Sequence, residues 1–429
     1  MKDSGVKWIG EIPSHWEVRK LKSIAKRITD YVASGSFASL NKNVTYLDEP
    51  DYAMLVRTVD LSKKTNKKPI YINKHAYDFL SNSNLFGGEL ILPNIGSVGS
   101  VYYFEPMYKR SSLAPNAILV DMKGINKFFY YLFLSPLVSN ALKHLGNDAV
   151  QEKFNKTQLR QFKVINPPIE EQQKIANFLD EKVSQIDTII EKTKQSIEEL
   201  KKYKQALITE TVTKGLDPDV EMKDTGINWL GNIPIHWKVS KMKHIFEIKK
   251  DIANKLGYNV LSVTQQGLKI KDIESNEGQL SSDYSKYQIV EINDFVMNHM
   301  DLITGWVDYS KYVGVTSPDY RVFRFKNNIN YNHDYFKYLL QSCYLNRIFY
   351  AYGHGVSNLG RWRLPTDEFL NFYVPVPNVD EQEKIADFLN KKIEIIDRLV
   401  RKKEEMVKET EKYKKSLIYE YVTGKKEVM

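Results

Sequence analysis

The side chains in this sequence best suited to chemistry are suited to holding nucleic acid. Lys63, Lys64, Asn66, Lys67 and Lys68 form a basic loop just ahead of a strand-like run, and Lys109 and Arg110 form another behind Tyr102, Tyr103 and Tyr108. Further along, Gln265 and Gln266 follow a strand-like run, Asn298 and His299 end one, and Arg361 and Arg363 flank Trp362 in a glycine-bounded loop. Arg pairs bidentately with guanine and Asn or Gln with adenine in the major groove, whereas Lys mostly grips phosphate. Each loop also fits plain solvation, so the candidates count together rather than singly.

Catalytic constellations are absent from the sequence. No Walker A, H-E-x-x-H, G-x-S-x-G or Cys/His cluster occurs. Glu199-Leu200-Lys201 fits a nuclease-like E-x-K, a triplet that charged helices form by chance. Asn166-Pro167-Pro168-Ile169 resembles the N-P-P-aromatic motif of amino methyltransferases, but Ile169 cannot stack on a base and no glycine-rich turn for S-adenosylmethionine is found. The prolines read instead as a stop before a helix whose first turn carries Glu170 and Glu171 on the positive end of its dipole. His15 and His236 each stand without a second ligand at metal spacing and read as structural. Cys343 is the single cysteine, which excludes a disulfide framework and suits a reducing cytoplasm.

Two long helices must position these loops. Residues 170–212 contain no Pro or Gly and return at 380–422, 210 positions later, without a gap. Leu179, Val183, Ile186, Ile190, Ile197, Leu200 and Leu207 mark one seam; Leu389, Ile393, Ile396, Val400, Val407 and Leu417 mark the other. A period of about 3.5 residues makes one apolar stripe on an otherwise charged helix. Such a stripe needs a partner, and antiparallel pairing of the two copies supplies it. Full overlap places Lys204 opposite Asn390 and Lys414 opposite Asp180.

A second repeat precedes each globule. Residues 1–24 and 222–245 share 14 of 24 positions in the frame W-[IL]-G-x-I-P-x-H-W-x-V. Residues 25–166 and 246–376 form two looser α/β globules, with strands expected at Ala53–Thr58, Leu90–Pro93, Val101–Phe104 and Ala117–Val120, then Asn259–Thr264, Phe295–Asn298 and Arg321–Phe325. Helices are expected at Lys127–Leu145 and His333–Tyr350. The first globule holds 18 Lys and Arg against 11 Asp and Glu, the second 14 against 14, so the chain's net charge of +9 sits mainly on the first. That imbalance permits a polyanion partner without requiring one. Near-identical scaffolds bearing unlike globules read as one frame carrying two different readers. The fold class is α+β, two mixed α/β domains joined by two long antiparallel coiled-coil helices, with an internal pseudo-two-fold repeat.

The duplicated W-[IL]-G-x-I-P-x-H-W segment, followed by P-x-[IV]-[ED]-E-Q-x-K-I-A-x-F-L on a long helix, resembles the specificity subunit of type I restriction–modification enzymes across essentially the whole chain. Thr316-Ser317-Pro318-Asp319-Tyr320 also looks like that family's target-recognition domains, and Ser112–Asn116 is a looser match. The resemblance implies a first target-recognition domain at 1–166, a spacer helix at 167–215, a second target-recognition domain at 216–376 and a second spacer helix at 377–429. It implies a non-catalytic subunit that reads a bipartite site in double-stranded DNA and docks two modification subunits, with restriction subunits adding translocation and cleavage. No cofactor is expected on this chain; S-adenosylmethionine, ATP and Mg belong with the partners. The target adenine would be flipped out of the duplex for methylation. A stand-alone coiled-coil DNA-binding or adaptor protein is the alternative reading. No apolar run is long enough to span a bilayer, so no membrane role is expected and the cytoplasm is the expected location.

Overall fold

The computed structural model describes residues 1–62, 67–146, 153–272, 284–327, 329–355 and 362–428. The chain divides into two compact units, one of Met1–Thr193 with Glu405–Met429, the other of Lys194–Glu404. Each therefore owns one globule, half of the first long helix (Ile169–Lys214) and half of the second (Val379–Val422). At about 1.5 Å per residue, these helices of 46 and 44 residues are each close to 70 Å long.

The first unit opens with a small hairpin, Lys2–Asp3 against Glu11–Ile12. Glu17–Lys20 then pairs antiparallel with Lys163–Asn166, the strand that leads directly into the long helix. The main sheet runs in the order Ala25–Asp30, Ala117–Met122, Leu90–Pro93, Tyr102–Tyr103, all antiparallel. A second sheet holds Tyr71–Ile72, Ala53–Val56, Ser111–Leu113 and Asn84–Leu85, with a parallel pair at its centre. The helix expected over Lys127–Leu145 is two helices, Asn126–Leu134 and Pro136–Lys143. Pro136 offers no N–H to continue the first and is well placed to start the second.

In the second unit the frame repeats. Met222–Asp224 pairs with Asn232–Pro234, and Lys238–Lys241 pairs with Tyr373–Val376 ahead of the second long helix. The main sheet has the same order as before: Phe246–Lys249, Arg321–Phe325, Phe295–Met297, Val307–Tyr309. Its core is aromatic, with Phe246 within 5.5 Å of the rings of Phe295, Phe323, Phe325 and Phe336. The second sheet is joined more loosely here. Its two ribbons, Leu261–Thr264 with Gly267–Ile270 and Gln288–Val290 with Gly314–Thr316, meet through one parallel bridge, Val260 to Val315, where the first unit has a three-residue parallel ladder. The helix expected over His333–Tyr350 breaks into His333–Leu345 and Ile348–Ala351 around Arg347, whose φ is +56°.

Within each unit the two long helices lie antiparallel, but one heptad away from full overlap. Lys204 Nζ donates to both carboxylate oxygens of Asp397, at 2.7 and 2.8 Å, rather than facing Asn390. Lys414 Nζ likewise donates to Asp187, at 2.6 and 2.7 Å, rather than facing Asp180. The residues expected opposite these lysines are already taken by their own globules. Tyr131 O–H donates to Asp180 at 2.6 Å with Lys127 close by, and Tyr338 O–H donates to Asn390 at 2.6 Å. Of the seam residues, Leu179, Val183, Ile186, Ile190, Ile197, Leu389, Ile393 and Ile396 are buried. Leu200, Val400 and Val407 are half-buried.

The two Lys–Asp pairs are half-exposed, so they mark register more than they add stability. A double-mutant cycle on Lys204 and Asp397 is expected to give a coupling of about 0.5 kcal/mol that shrinks at high salt. Urea titrations of the four proteins measure it, and a coupling indistinguishable from zero at low salt would remove the pair as a register device.

Candidate nucleic-acid interface

The repeated scaffold ties each globule to a helix N-terminus through the same three residues. Glu171, in the first turn of the first long helix, accepts from Trp16 Nε1–H at 2.8 Å and meets His15 Nε2 at 2.7 Å. Glu381 does the same for Trp237, at 2.9 Å, and His236, at 3.0 Å. The next residue, Gln172, accepts from the Ile125 N–H at 3.0 Å and donates to Pro167 O at 2.8 Å. Gln382 repeats this with Asn332 N–H and Pro377 O, at 2.8 and 2.9 Å. Both glutamines are buried. Sequence reasoning placed Glu170 and Glu171 on the helix dipole but missed this bridging role, for which the signal was the identical Glu-Gln step at the same point of both copies. Among the described residues no group of three or more His, Cys, Asp or Glu is placed to hold a metal ion.

In the first unit, Lys63, Lys64 and Asn66 lie outside the described residues. Lys67, Lys68, Lys109 and Arg110 are all exposed. Their flanking residues are fixed on the second sheet. The Tyr71 and Tyr108 rings meet edge-on at 5.2 Å, and Tyr108 O–H donates to Asp51 O at 2.7 Å. Arg57, itself locked onto Asp60, donates to Lys68 O at 2.7 Å, and Arg110 lies 4.4 Å over the ring of Tyr52. The two basic loops therefore bracket the second sheet, Lys67 and Lys68 at the end of Ala53–Val56 and Lys109 and Arg110 at its start. Lys for phosphate and a ring-stacked Arg for base or phosphate are the groups a nucleic-acid contact needs.

In the second unit, Gln265 and Gln266 are exposed at the tip of the ribbon Leu261–Thr264/Gly267–Ile270. Asn298 and His299 are half-buried in the loop that joins Phe295–Met297 to Val307–Tyr309. Asn298 Oδ1 accepts from Met300 N–H at 3.3 Å, so this side chain shapes its own loop. Arg363 is exposed, and Arg361 lies outside the described residues. The two loops meet: Leu364 N–H donates to His299 O at 2.9 Å, and Leu302 N–H donates to Trp362 O at 3.2 Å. Arg321, which sequence reasoning missed, clamps this junction from below, donating to Leu364 O at 3.0 Å and Thr366 Oγ1 at 3.3 Å over the ring of Phe369.

Arg321 is a buried cation, only 4% exposed, and burial lowers its pKa to about 10. Burial, reinforced by Arg321 and Arg363, pulls the His299 imidazole down to about 4, so it is neutral at physiological pH and offers one donor and one acceptor instead of a charge. His333, packed among Phe295, Tyr309 and Phe325, is lowered by burial as well. An imidazole lowered on folding binds its proton more tightly in the unfolded chain. The stability it contributes is therefore complete above the unfolded value of about 6.5 and falls as pH drops from there toward 4. Acid titration followed by NMR of the imidazole C–H resonances is expected to find His299 still neutral at pH 5; a midpoint near 6.5 would contradict the buried setting.

Residues 13–200 and 234–409 match the family described as the type I restriction modification DNA specificity domain. The chain belongs to that family. As a specificity subunit it is the DNA-recognition component of a type I restriction–modification system, with DNA and the other components of that complex as its partners. A protein of Methanocaldococcus jannaschii provisionally named the type I restriction enzyme MjaX specificity subunit is 24% identical over 430 residues, covering 97% of this chain and 95% of the relative. The MjaVIII specificity subunit of the same organism is 25% identical over 339 residues, covering 74% and 75%. A chain from a structure on complex assembly and conformational transition of the type I R-M system has the same fold, with a TM-score of 0.68 at 11% identity, covering 96% of this chain and 99% of the other. The HsdS subunit from Thermoanaerobacter tengcongensis aligns with a TM-score of 0.54 at 11% identity, covering 99% and 100%. A lone adaptor is not favoured by this family membership. No helix among the described residues is long and apolar enough to cross a membrane.

Proposed function

We propose that this specificity subunit is a non-catalytic reader of a two-part DNA site, each half read by the second sheet of one unit and its loops. One observation carries the reading: the opening hairpin, the strand before the long helix and the main sheet have the same order in both units, while the second sheets carry unlike loops and are joined at their centre by a three-residue parallel ladder in one unit and by a single parallel bridge in the other. What is the same twice suits the same partner twice, and two modification subunits docked on the repeated frame meet that description. What differs suits two different base sequences. The exposed Lys67, Lys68, Lys109 and Arg110 in one unit, and Gln265, Gln266 and Arg363 in the other, are the side chains proposed to reach the duplex.

In this reading the methyl donor, the nucleotide and its metal are bound by the modification and restriction subunits, and the work takes place in the cytoplasm. The two long helices separate the halves of the site by a gap that is not read, since two readers on one face of B-DNA want centres about 34 Å apart per helical turn. Mapping N6-methyladenine in cells with and without this chain tests the reading. A split motif with one methylated adenine in each half, lost when the chain is deleted, is the expected result. A continuous motif, or methylation that persists without the chain, would overturn it.

A further inference from the structure

The ribbon that carries Gln265 and Gln266 pairs Thr264 with Gly267 across the turn and meets the rest of its sheet through one parallel bridge, Val260 to Val315. The turn is closed from within. Thr264 Oγ1 donates to Gly267 O at 2.9 Å and accepts from Gln266 N–H at 3.1 Å, while Lys269 bonds the Gln266 side chain. The open end of the ribbon is tied to the Gly314–Thr316 strand, by Val315 N–H to Asn259 O at 2.8 Å and Thr316 Oγ1 to Leu261 O at 3.1 Å. Leu261, with Val263 and Leu268, also packs against Val296 and Val322 of the main sheet, so the body of the ribbon is held and the aim of its tip depends on what holds the turn itself.

At the turn itself the polar contact comes from Asp308. It sits on the edge strand Val307–Tyr309, opposite Val296. A Cβ on Gly267 would stand 2.6 Å from Asp308 Oδ2, so the carboxylate lies directly against the main chain of the turn, where φ is +102°. The Leu268 N–H donates to the same carboxylate, and Oδ1 accepts from Tyr309 N–H at 2.8 Å. Burial raises this carboxyl above its ordinary range, opposed by Lys337 and Lys311 nearby. A half-buried carboxylate bonded to two main-chain N–H groups, one on the ribbon and one on the sheet, is a stiff joint between the two.

We propose that Asp308 is a positioning residue that sets the angle of the Gln265–Gln266 turn and thereby the base preference of the second recognition domain. This rests on the reading of that turn as a DNA contact. The test uses the assembled modification complex carrying D308A, D308N, G267A or the double substitution Q265A/Q266A, with methylation measured on a library randomised across the second half-site. Q265A/Q266A identifies the base positions that the turn reads. D308A and G267A are expected to reduce discrimination at those same positions about tenfold, with the first half unchanged. D308N keeps an oxygen for the Leu268 N–H and should retain most of the discrimination, which a merely structural loss would not. If Q265A/Q266A alters base preference while D308A does not, the positioning role is overturned and the DNA-reading turn stands. If D308A weakens both halves equally, the role is likewise overturned. If Q265A/Q266A leaves every preference intact, the turn is no reader and the proposal falls with it.

Discussion

Exchanging residues 25–166 for the corresponding span of another specificity subunit is expected to rewrite one half of the methylated sequence and leave the other half as it was. The two units have separate cores. The one around Trp16, Phe128 and Leu179 shares no residue with the one around Trp237, Phe246 and Leu389. The exchange points also fall on the common frame. Leu21 N–H donates to Phe162 O at 2.8 Å, and Glu17–Lys20 ladders with Lys163–Asn166, so a donor that supplies the same closing strand meets an unchanged acceptor. A donor lacking partners for Asp180 and Gln172, the roles of Tyr131 and Ile125, would lose its hold on the helix. A half-site misread at two base pairs costs about 2–6 kcal/mol, enough to lower affinity roughly 30- to 20,000-fold. Methylome mapping of the hybrid decides the matter, and a change in both halves, or in neither, would contradict two independent readers.

Trp16→Ala and Trp237→Ala should each destabilise the unit that contains it by about 3–5 kcal/mol. Trp16 and Trp237 are 2% and 1% exposed, and each wedges between a helix N-terminus and the end of the other long helix. Trp16 lies beside Gly424, just past the second long helix, and Trp237 beside Gly215, just past the first. Removing the ring opens a cavity and also strips the Glu171 or Glu381 carboxylate of its indole donor. Trp→Phe keeps most of the packing and should cost about 1–2 kcal/mol, mainly the lost hydrogen bond. Trp8 and Trp229, stacked at 5.1 Å on Phe162 and Phe372 but only half-buried, should tolerate Ala with smaller losses. Calorimetry of the four variants tests the ranking; equal losses at all four positions would refute the helix-end wedge.

Legibility in the sequence followed the range of the interactions. The seam residues, the Pro stops and the duplicated opening segment are set by neighbours a few residues apart. Accordingly the long helices Ile169–Lys214 and Val379–Val422, and strands such as Leu90–Pro93 and Arg321–Phe325, stand where periodicity and composition place them. Four strands were read too long and one too short. Ala53–Val56 stops before Thr58, where a helical turn begins; Tyr102–Tyr103 is half the expected run; Leu261–Thr264 starts two residues late; Phe295–Met297 ends before Asn298; and Ala117–Met122 runs two residues past Val120. Strand ends depend on where a partner strand stops, which alternation alone does not encode.

What the sequence determined by itself was the plan: one frame used twice, two dissimilar globules, and helices with a seam that only another such helix could cover. Helical and strand periodicity are local, and a repeat is visible without coordinates. Only the tertiary structure decided the register of those helices, because Tyr131 and Tyr338 occupy Asp180 and Asn390 from within their own units and send the lysines one heptad on, to Asp397 and Asp187. It alone decided that Glu171 and Glu381 hold Trp16 and Trp237, that Arg321 sits under the His299 loop, and that Asp308 braces the Gln265–Gln266 turn. Each of these joins residues more than 20 positions apart, where the cost of closing the chain is met by burial and hydrogen bonds that no short stretch of sequence contains.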